Sequence, residues 1–465
     1  MLTKRGYKVD KASLSDVRVS EIRGELNVRP ASGNSRQPPP AFSVLRESAN
    51  SLYLPRCYAY DKLGPPAKGA VFPPHLPAPG LEFAGQLRPI QEAAAAAYLD
   101  EARTGSGAGT IVLGCGSGKT VVCTNIMCTL KVKTLVVVHK DFLADQWVER
   151  IAQFAPNARV GIMKCDRFDS DGKDVVVASL QTMISRKYPL DGFGLSVFDE
   201  THHMSARVFV TSLMQETTRY MLGLTATPER KDGLGRVFLW FIGGIVYRPP
   251  DSDQKRPDVV VRLPALPQRS AARTDFMGRP DTVAMITDLC EDAERNRDIA
   301  DIALEVLEDP ARCLLILSER RKHLEDLHAL LAPRHAAEMG FYVGGMKADA
   351  RALVENGARV ILASVSMAAE AFDCSRLNAI ILATPKSDVV QSIGRIMRTP
   401  PGAGPVAPLI IDPQDPLFAG PAKKRRALYR KRAYTIHTTA AAKPDDDEDD
   451  FAPVAMAFRN KVSAR

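Results

Sequence analysis

The sequence predicts an α/β protein of two similar doubly wound lobes with parallel sheets. An irregular N-terminal extension precedes them and a low-complexity C-terminal tail follows. Three observations carry this. Short apolar runs alternate with longer amphipathic stretches from Leu87 onward, as buried parallel strands and their crossover helices do. The series occurs twice, separated by the turn-rich segment PPDSDQKRPD (249–258). Both ends differ in composition from the middle.

The elements follow in order. Residues 1–86 hold Pro-Pro-Pro at 38–40 and Pro-Pro at 65–66 and 73–74. Proline fixes φ and removes a donor, so long regular elements are not expected there. The apolar patch SLYLPRCYAY (51–60) is the one segment expected to pack on a neighbour. The first lobe, 87–250, takes its strands from TIVL (110–113), TLVVV (134–138), DVVVA (174–178), LSVF (195–198) and YMLGL (220–224). Residues 251–280 read as a linker. The second lobe, 281–412, takes its strands from CLLIL (313–317), VILA (360–363), AIILA (379–383) and PLII (408–411). Residues 413–465 read as a charged, solvated tail: KKRRALYRKR (423–432) has seven basic residues in ten, and DDDEDD (445–450) is a run of six acids. The basic run is compatible with a solvated charge run, a nuclear import signal or a grip on nucleic-acid backbone.

With 62 basic and 54 acidic residues the chain carries +8, which favours a polyanionic partner. Eight cysteines without a close CxxC pair exclude a disulfide framework and a zinc ribbon, and fit a reducing compartment. No run of about 18 apolar residues is present, so neither a membrane span nor a membrane partner is expected. The first residues, MLTKRGYKVDKASLSD, lack the apolar core of a secretory signal.

The most informative string is TIVLGCGSGKT (110–120). A strand runs into Gly114, Cys115, Gly116, Ser117 and Gly118, then Lys119, Thr120 and an apolar helix. Glycines let backbone N–H groups turn toward a phosphate, and the helix N-terminus adds its positive end. Lys119 is placed to reach the β- and γ-phosphates of ATP, and the Thr120 hydroxyl to hold Mg²⁺. The strict pattern asks for glycine at 113, where this chain has Leu113. LSVFDETHH (195–203) is an apolar strand ending in acids. Asp199 is the expected second holder of Mg²⁺, Glu200 the group that polarises the attacking water, and His202 lies within reach of the γ-phosphate.

Together LGCGSGKT, DETH, GLTATPER (223–230) and QSIGRIMR (391–398) resemble the superfamily 2 helicases and translocases, in order and spacing. The Asp-Glu-Thr-His string and Met397 resemble the DExH and XPB-type branch. YVGGMK (342–347), MAAEAFD (367–373) and ATPKSDVVQSIGRIMR (383–398) look closer still to the transcript-release helicases of poxviruses and their relatives in other large DNA viruses. The resemblance implies two tandem RecA-like lobes and ATP-driven movement on nucleic acid, with DNA favoured over RNA and the transcription machinery as a partner. It also implies an intracellular site: host cytoplasm or nucleus for a viral protein, with packaging in the virion left open.

It further implies residue roles. Gln91 would read the adenine edge. His139, Lys140, Ser179, Gln181, Thr182, Thr225, Thr227 and Ser364 would face nucleic acid or couple it to ATP. Asp373 and Gln391 would sense nucleotide from the second lobe. Trp147 is a core anchor or a base-stacking platform. Ala371 stands where the family commonly has glycine. Arg395 and Arg398, three apart, are expected on one helix face, pointing into a shared cleft where they would neutralise charge on the transferring phosphate. Alternatives from other classes are a DExH-type RNA helicase and a catalytically idle nucleic-acid-binding scaffold.

Overall fold

The computed structural model describes all residues except 1, 4–5, 32–38, 67–73, 115, 140, 165–166, 186–190, 200–209, 211–212, 214–217, 227–232, 251–252, 254, 371, 373, 400–401 and 439–465. Two large sheets dominate. The first has eight strands, in the order Arg167–Phe168, Val160–Lys164, Val175–Ser179, Thr134–Val138, Leu195–Asp199, Tyr220–Thr225, Ala108–Val112 and Ile245–Tyr247. All pair in parallel except the edge strand Arg167–Phe168. The second has seven, all parallel: Met339–Tyr342, Val360–Ser364, Leu314–Ser318, Ala379–Leu382, Leu409–Ile411, Val260–Leu263 and Thr435–Thr438.

The expected strands sit in the buried middles of these sheets. Ala108–Val112, Thr134–Val138, Val175–Ser179, Leu195–Asp199 and Leu314–Ser318 are buried at every position, as unbroken apolar runs require when helices cover both faces. These are the two tandem RecA-like lobes with parallel sheets. Among the described residues no helix is long and apolar enough to cross a membrane.

Three expectations about the flanks are corrected. The N-terminal extension is not irregular. Gly6–Asp10 and Ser51–Leu54 pair antiparallel within a four-stranded sheet, and helix Asp16–Glu25 is capped by Ser15, whose Oγ accepts from the Arg18 N–H. Helix Arg56–Leu63 docks on helix Gly235–Ile242, with Tyr58 edge-on to Trp240 at 5.4 Å between ring centres. Arg56, 2% exposed, donates to the carbonyls of Ser106, Thr218 and Arg219, and its burial pulls its pKa down. The prolines punctuate this module without preventing it.

The segment 251–280 is more than a linker, because Val260–Leu263 lies inside the second sheet, between Leu409–Ile411 and Thr435–Thr438. The basic run 423–432 is not a solvated tail. It forms most of helix Ala419–Lys431, whose Arg425 makes two 2.8 Å bonds to Asp412, both side chains 1% exposed. Tyr429 donates to the same carboxylate at 3.0 Å. A buried carboxylate requires a partner of this kind, and the composition of a charge run conceals which cation supplies it. The acidic run 445–450 lies outside the described residues.

Candidate active site

Strand Ala108–Val112 delivers the chain to the loop 113–118. Leu113 is fully buried and donates its N–H to the Thr225 carbonyl at 3.0 Å. Its side chain fills the core, a burial worth about 1.5–3 kcal/mol that glycine would forgo. The loop then turns tightly: the Ser117 N–H meets the Gly114 carbonyl at 3.2 Å, and Gly116 and Gly118 take φ of 76° and 82°. Gly118 caps helix Lys119–Leu130. A Cβ there would lie 2.3 Å from Gln91 Nε2, so both conformation and space demand glycine.

Gln91 and Arg88 hold the loop from outside. Gln91 Nε2 and an Arg88 guanidinium nitrogen donate to the Ser117 carbonyl at 2.9 and 2.7 Å, while Gln91 Oε1 accepts the Arg88 N–H at 2.9 Å. Both ends of the Gln91 amide are thus engaged with the loop and its own helix start. Arg88 stands in the string LRPIQ (87–91) that points to Gln91, just before helix Pro89–Thr104, but the string assigns a role only to Gln91.

Asp199 ends a fully buried strand one position from Tyr220–Thr225, paired in register with Leu224. Trp147 Nε1 donates to Asp199 Oδ2 at 2.9 Å, both residues being buried. Of the two readings of Trp147, the structure gives the core anchor, with its polar edge spent on the carboxylate. Cys123, on the helix after the loop, has its thiol pKa raised well above the ordinary value by burial and then by the Asp199 charge.

The other predicted residues are placed as follows. His139 is half-buried just past strand Thr134–Val138. Ser179 and Thr182 are buried, with hydroxyls 2.9 Å apart, at the start of helix Leu180–Ser185, whereas Gln181 is exposed. Thr225 is buried at the end of its strand. Ser364 ends strand Val360–Ser364 beside Ser318. Lys119, Thr120 and Gln391 are half-buried. Cys115, Lys140, Glu200, His202, Thr227, Ala371 and Asp373 lie outside the described residues.

Arg395 and Arg398 do not share an α-helical face. Helix Val390–Ile393 ends after four residues and tightens into a 3₁₀ turn, Gly394–Ile396, with Arg398 beyond it. The two still converge: Arg395 and Arg398 donate to the one Phe372 carbonyl at 2.8 and 2.7 Å. This turn abuts the glycine loop of the other lobe. A Cβ on Gly116 would lie 3.3 Å from Arg398 Cγ and 3.8 Å from the Gly394 carbonyl oxygen. Nearby Glu355 has its carboxyl pKa raised, because burial outweighs the Tyr342 hydrogen bond and the charges of Arg351 and Arg398. Sequence alone offered no signal for Glu355.

Residues 84–230 match the family described as type III restriction enzyme, res subunit. Over 454 residues the chain is 32% identical to L396 of Acanthamoeba polyphaga mimivirus, a protein named as a candidate ATP-dependent RNA helicase, spanning 94% of this chain and 86% of that one. It is 36% identical over 174 residues to the DNA 3'-5' translocase XPB2 of Sulfurisphaera tokodaii, covering 37% and 38% of the two chains. In structure it matches a fragment of an HsdR subunit of a type I restriction enzyme from Vibrio vulnificus YJ016, with a TM-score of 0.56 at 16% identity over 77% of this chain and 69% of that one.

Proposed function

Since the chain belongs to the superfamily 2 helicases and is an ATP-dependent helicase or translocase that binds nucleic acid, we propose that it moves on DNA, in transcription of a large DNA virus or in repair, using ATP with Mg²⁺. The observation that carries the two-lobe reading is the approach of the Arg398 turn to the glycine loop across the lobes.

The site suits this ligand. Gly116 and Gly118, in left-handed conformation, put no Cβ at two turns of the loop, a long helix begins at Lys119, and a buried carboxylate ends the next strand but one in the sheet. In this reading Gly114, Cys115, Gly116, Ser117 and Gly118 surround the phosphates, Lys119 binds the β/γ oxygens, and Thr120 with Asp199 holds Mg²⁺. When bound, the metal would supply charge neutralisation at those oxygens. Glu200 and His202 act on water, Gln391 and Asp373 face nucleotide from the second lobe, and Gln91 reads the base after leaving Ser117. Arg395 and Arg398 offset charge that develops on the γ-phosphate. Both are supplied by the second lobe, so hydrolysis requires the lobes to be closed. His139, Lys140, Ser179, Gln181, Thr182, Thr225, Thr227 and Ser364 line the track.

The name of the mimivirus relative favours a second reading, movement on RNA. Steady-state ATP hydrolysis with single-stranded DNA, duplex DNA or RNA separates the two, with Lys119→Ala as the blank. Stimulation by DNA supports the proposal. Stimulation by RNA alone replaces it with the second reading, and retained hydrolysis in the blank overturns the phosphate site.

A further inference from the structure

The second lobe contains a cavity of about 550 Å³ that none of the residues assigned above to nucleotide or nucleic acid lines. It lies at the amino-terminal edge of the sheet, where Cys313, Arg359, Asn378 and Pro408 each precede a strand. Its volume falls in the range of small-molecule sites.

The lining is unusual in charge. Four guanidinium side chains, Arg256, Arg312, Arg359 and Arg376, face one lining carboxylate, Asp258. Asp258 is already matched by Arg256, through bonds of 2.9 and 3.0 Å. The other three are held mainly by carbonyls, which orient a guanidinium without neutralising it. Arg312 donates to Ala407 O at 2.6 Å, and Arg376 to Glu355 O and Ala358 O at 2.9 and 3.0 Å. Arg359 donates to Leu307 O and Asp309 O at 2.7 and 2.9 Å. The acids that answer them stand outside the lining: Asp309 lies 3.6 Å from Arg312, and Glu338, 3.3 Å from Arg359, is shared with His335. Burial outweighs Asp309 and pulls the Arg312 pKa down, the mark of a cation short of counter-charge. Leu377, Ile396 and Val406 give the remaining wall an apolar face, beside the polar Ser375, Asn378 and Thr399.

A cluster of planar donors beside an apolar wall, inside a concavity too small for a polymer, has a definite chemical complement. We propose that this cavity is a second ligand site, specific for a small organic phosphate. The phosphate is bound by Arg312, Arg359 and Arg376, and the organic body packs on Leu377, Ile396 and Val406. Charge-assisted bonds from guanidinium to phosphate oxygen are among the stronger ones, and Arg312 and Arg359 are half-buried while Arg376 stands at the open rim.

The test is calorimetric titration of AMP and of pyrophosphate into the full-length chain carrying Lys119→Ala, which weakens the first site. The expected result is one bound AMP per chain. Adding Arg312→Gln should weaken AMP by about tenfold or more, the cost of one charge-assisted bond. Because Arg312 also secures a loop carbonyl, Ser375→Trp provides an independent check: it narrows the exposed rim and removes none of the four guanidiniums, and it should abolish the same binding. Absence of binding by both probes at millimolar concentration overturns the proposal, as does binding that neither added substitution changes. Binding of a peptide of sequence DDDEDD in their place also overturns it, since that assigns the cavity to an acidic segment. Failure of the first-site reading would show separately, as ATP hydrolysis retained by Lys119→Ala.

Discussion

Replacing Trp147 by phenylalanine removes one N–H and keeps an aromatic ring in the core. In the folded chain that N–H is 2.9 Å from Asp199 Oδ2, with both groups buried. A hydrogen bond to a charged group is worth about 1.5–3 kcal/mol, and each 1.36 kcal/mol of barrier is a factor of about ten in rate. If the indole fixes the Asp199 carboxylate for metal binding, kcat at saturating ATP and DNA should fall about 10- to 100-fold. The Mg²⁺ concentration for half-maximal rate should rise with it. The smaller ring leaves a void that costs roughly 1–3 kcal/mol of stability, so melting must be followed in parallel and the assay run well below the transition. The Mg²⁺ shift is the diagnostic readout, because packing loss alone does not move it. A kcat within about twofold of the parent and an unchanged Mg²⁺ dependence would refute the assignment of Trp147 as the residue that positions Asp199.

Other substitutions probe the rest of the account. Gly118→Ala forces a Cβ to within 2.3 Å of Gln91 Nε2 at a φ of 82°, and should abolish nucleotide binding while costing about 1–3 kcal/mol by denaturant titration. Arg425→Met leaves Asp412 buried without its cation, and should lower stability by about 3–5 kcal/mol in the same assay. A truly solvated tail would show no change. His323, neutral between Ser318 Oγ and Asn296 Oδ1 at 2.9 Å each, has its pKa lowered by burial from 6.5 to about 3. The unfolded chain therefore binds the extra proton first. This histidine's contribution is complete above pH 6.5 and is lost as pH falls toward 3, with a slope approaching 1.4 kcal/mol per unit. His323→Gln should flatten that part of the stability profile, and an unchanged profile would contradict it.

The buried strands were legible because parallel sheets covered on both faces need continuous apolar runs, as TLVVV and CLLIL are. The glycine loop was legible because φ above zero admits few other residues. Edge elements were harder to see. Val260–Leu263 alternates buried and half-buried positions inside a segment dominated by proline and charge, and Thr435–Thr438 is almost wholly exposed. Arg425 was hidden among six other basic residues, since composition cannot say which one a buried aspartate will select. At the site, residue types and order were readable, but partners were not. The indole on Asp199, the Gln91 amide on Ser117 and the shared Phe372 carbonyl each join positions that lie far apart in sequence or carry no motif.

The central claim is that the second lobe supplies an arginine to a nucleotide held by the first. Its most direct test is kcat for Arg398→Ala at saturating ATP and DNA, alongside ATP affinity and melting temperature. The account predicts a fall of about a thousandfold or more in kcat, with ATP still bound and the chain still folded. A kcat within about threefold of the parent would show that Arg398 merely braces the Phe372 carbonyl, and that the lobes need not meet for hydrolysis.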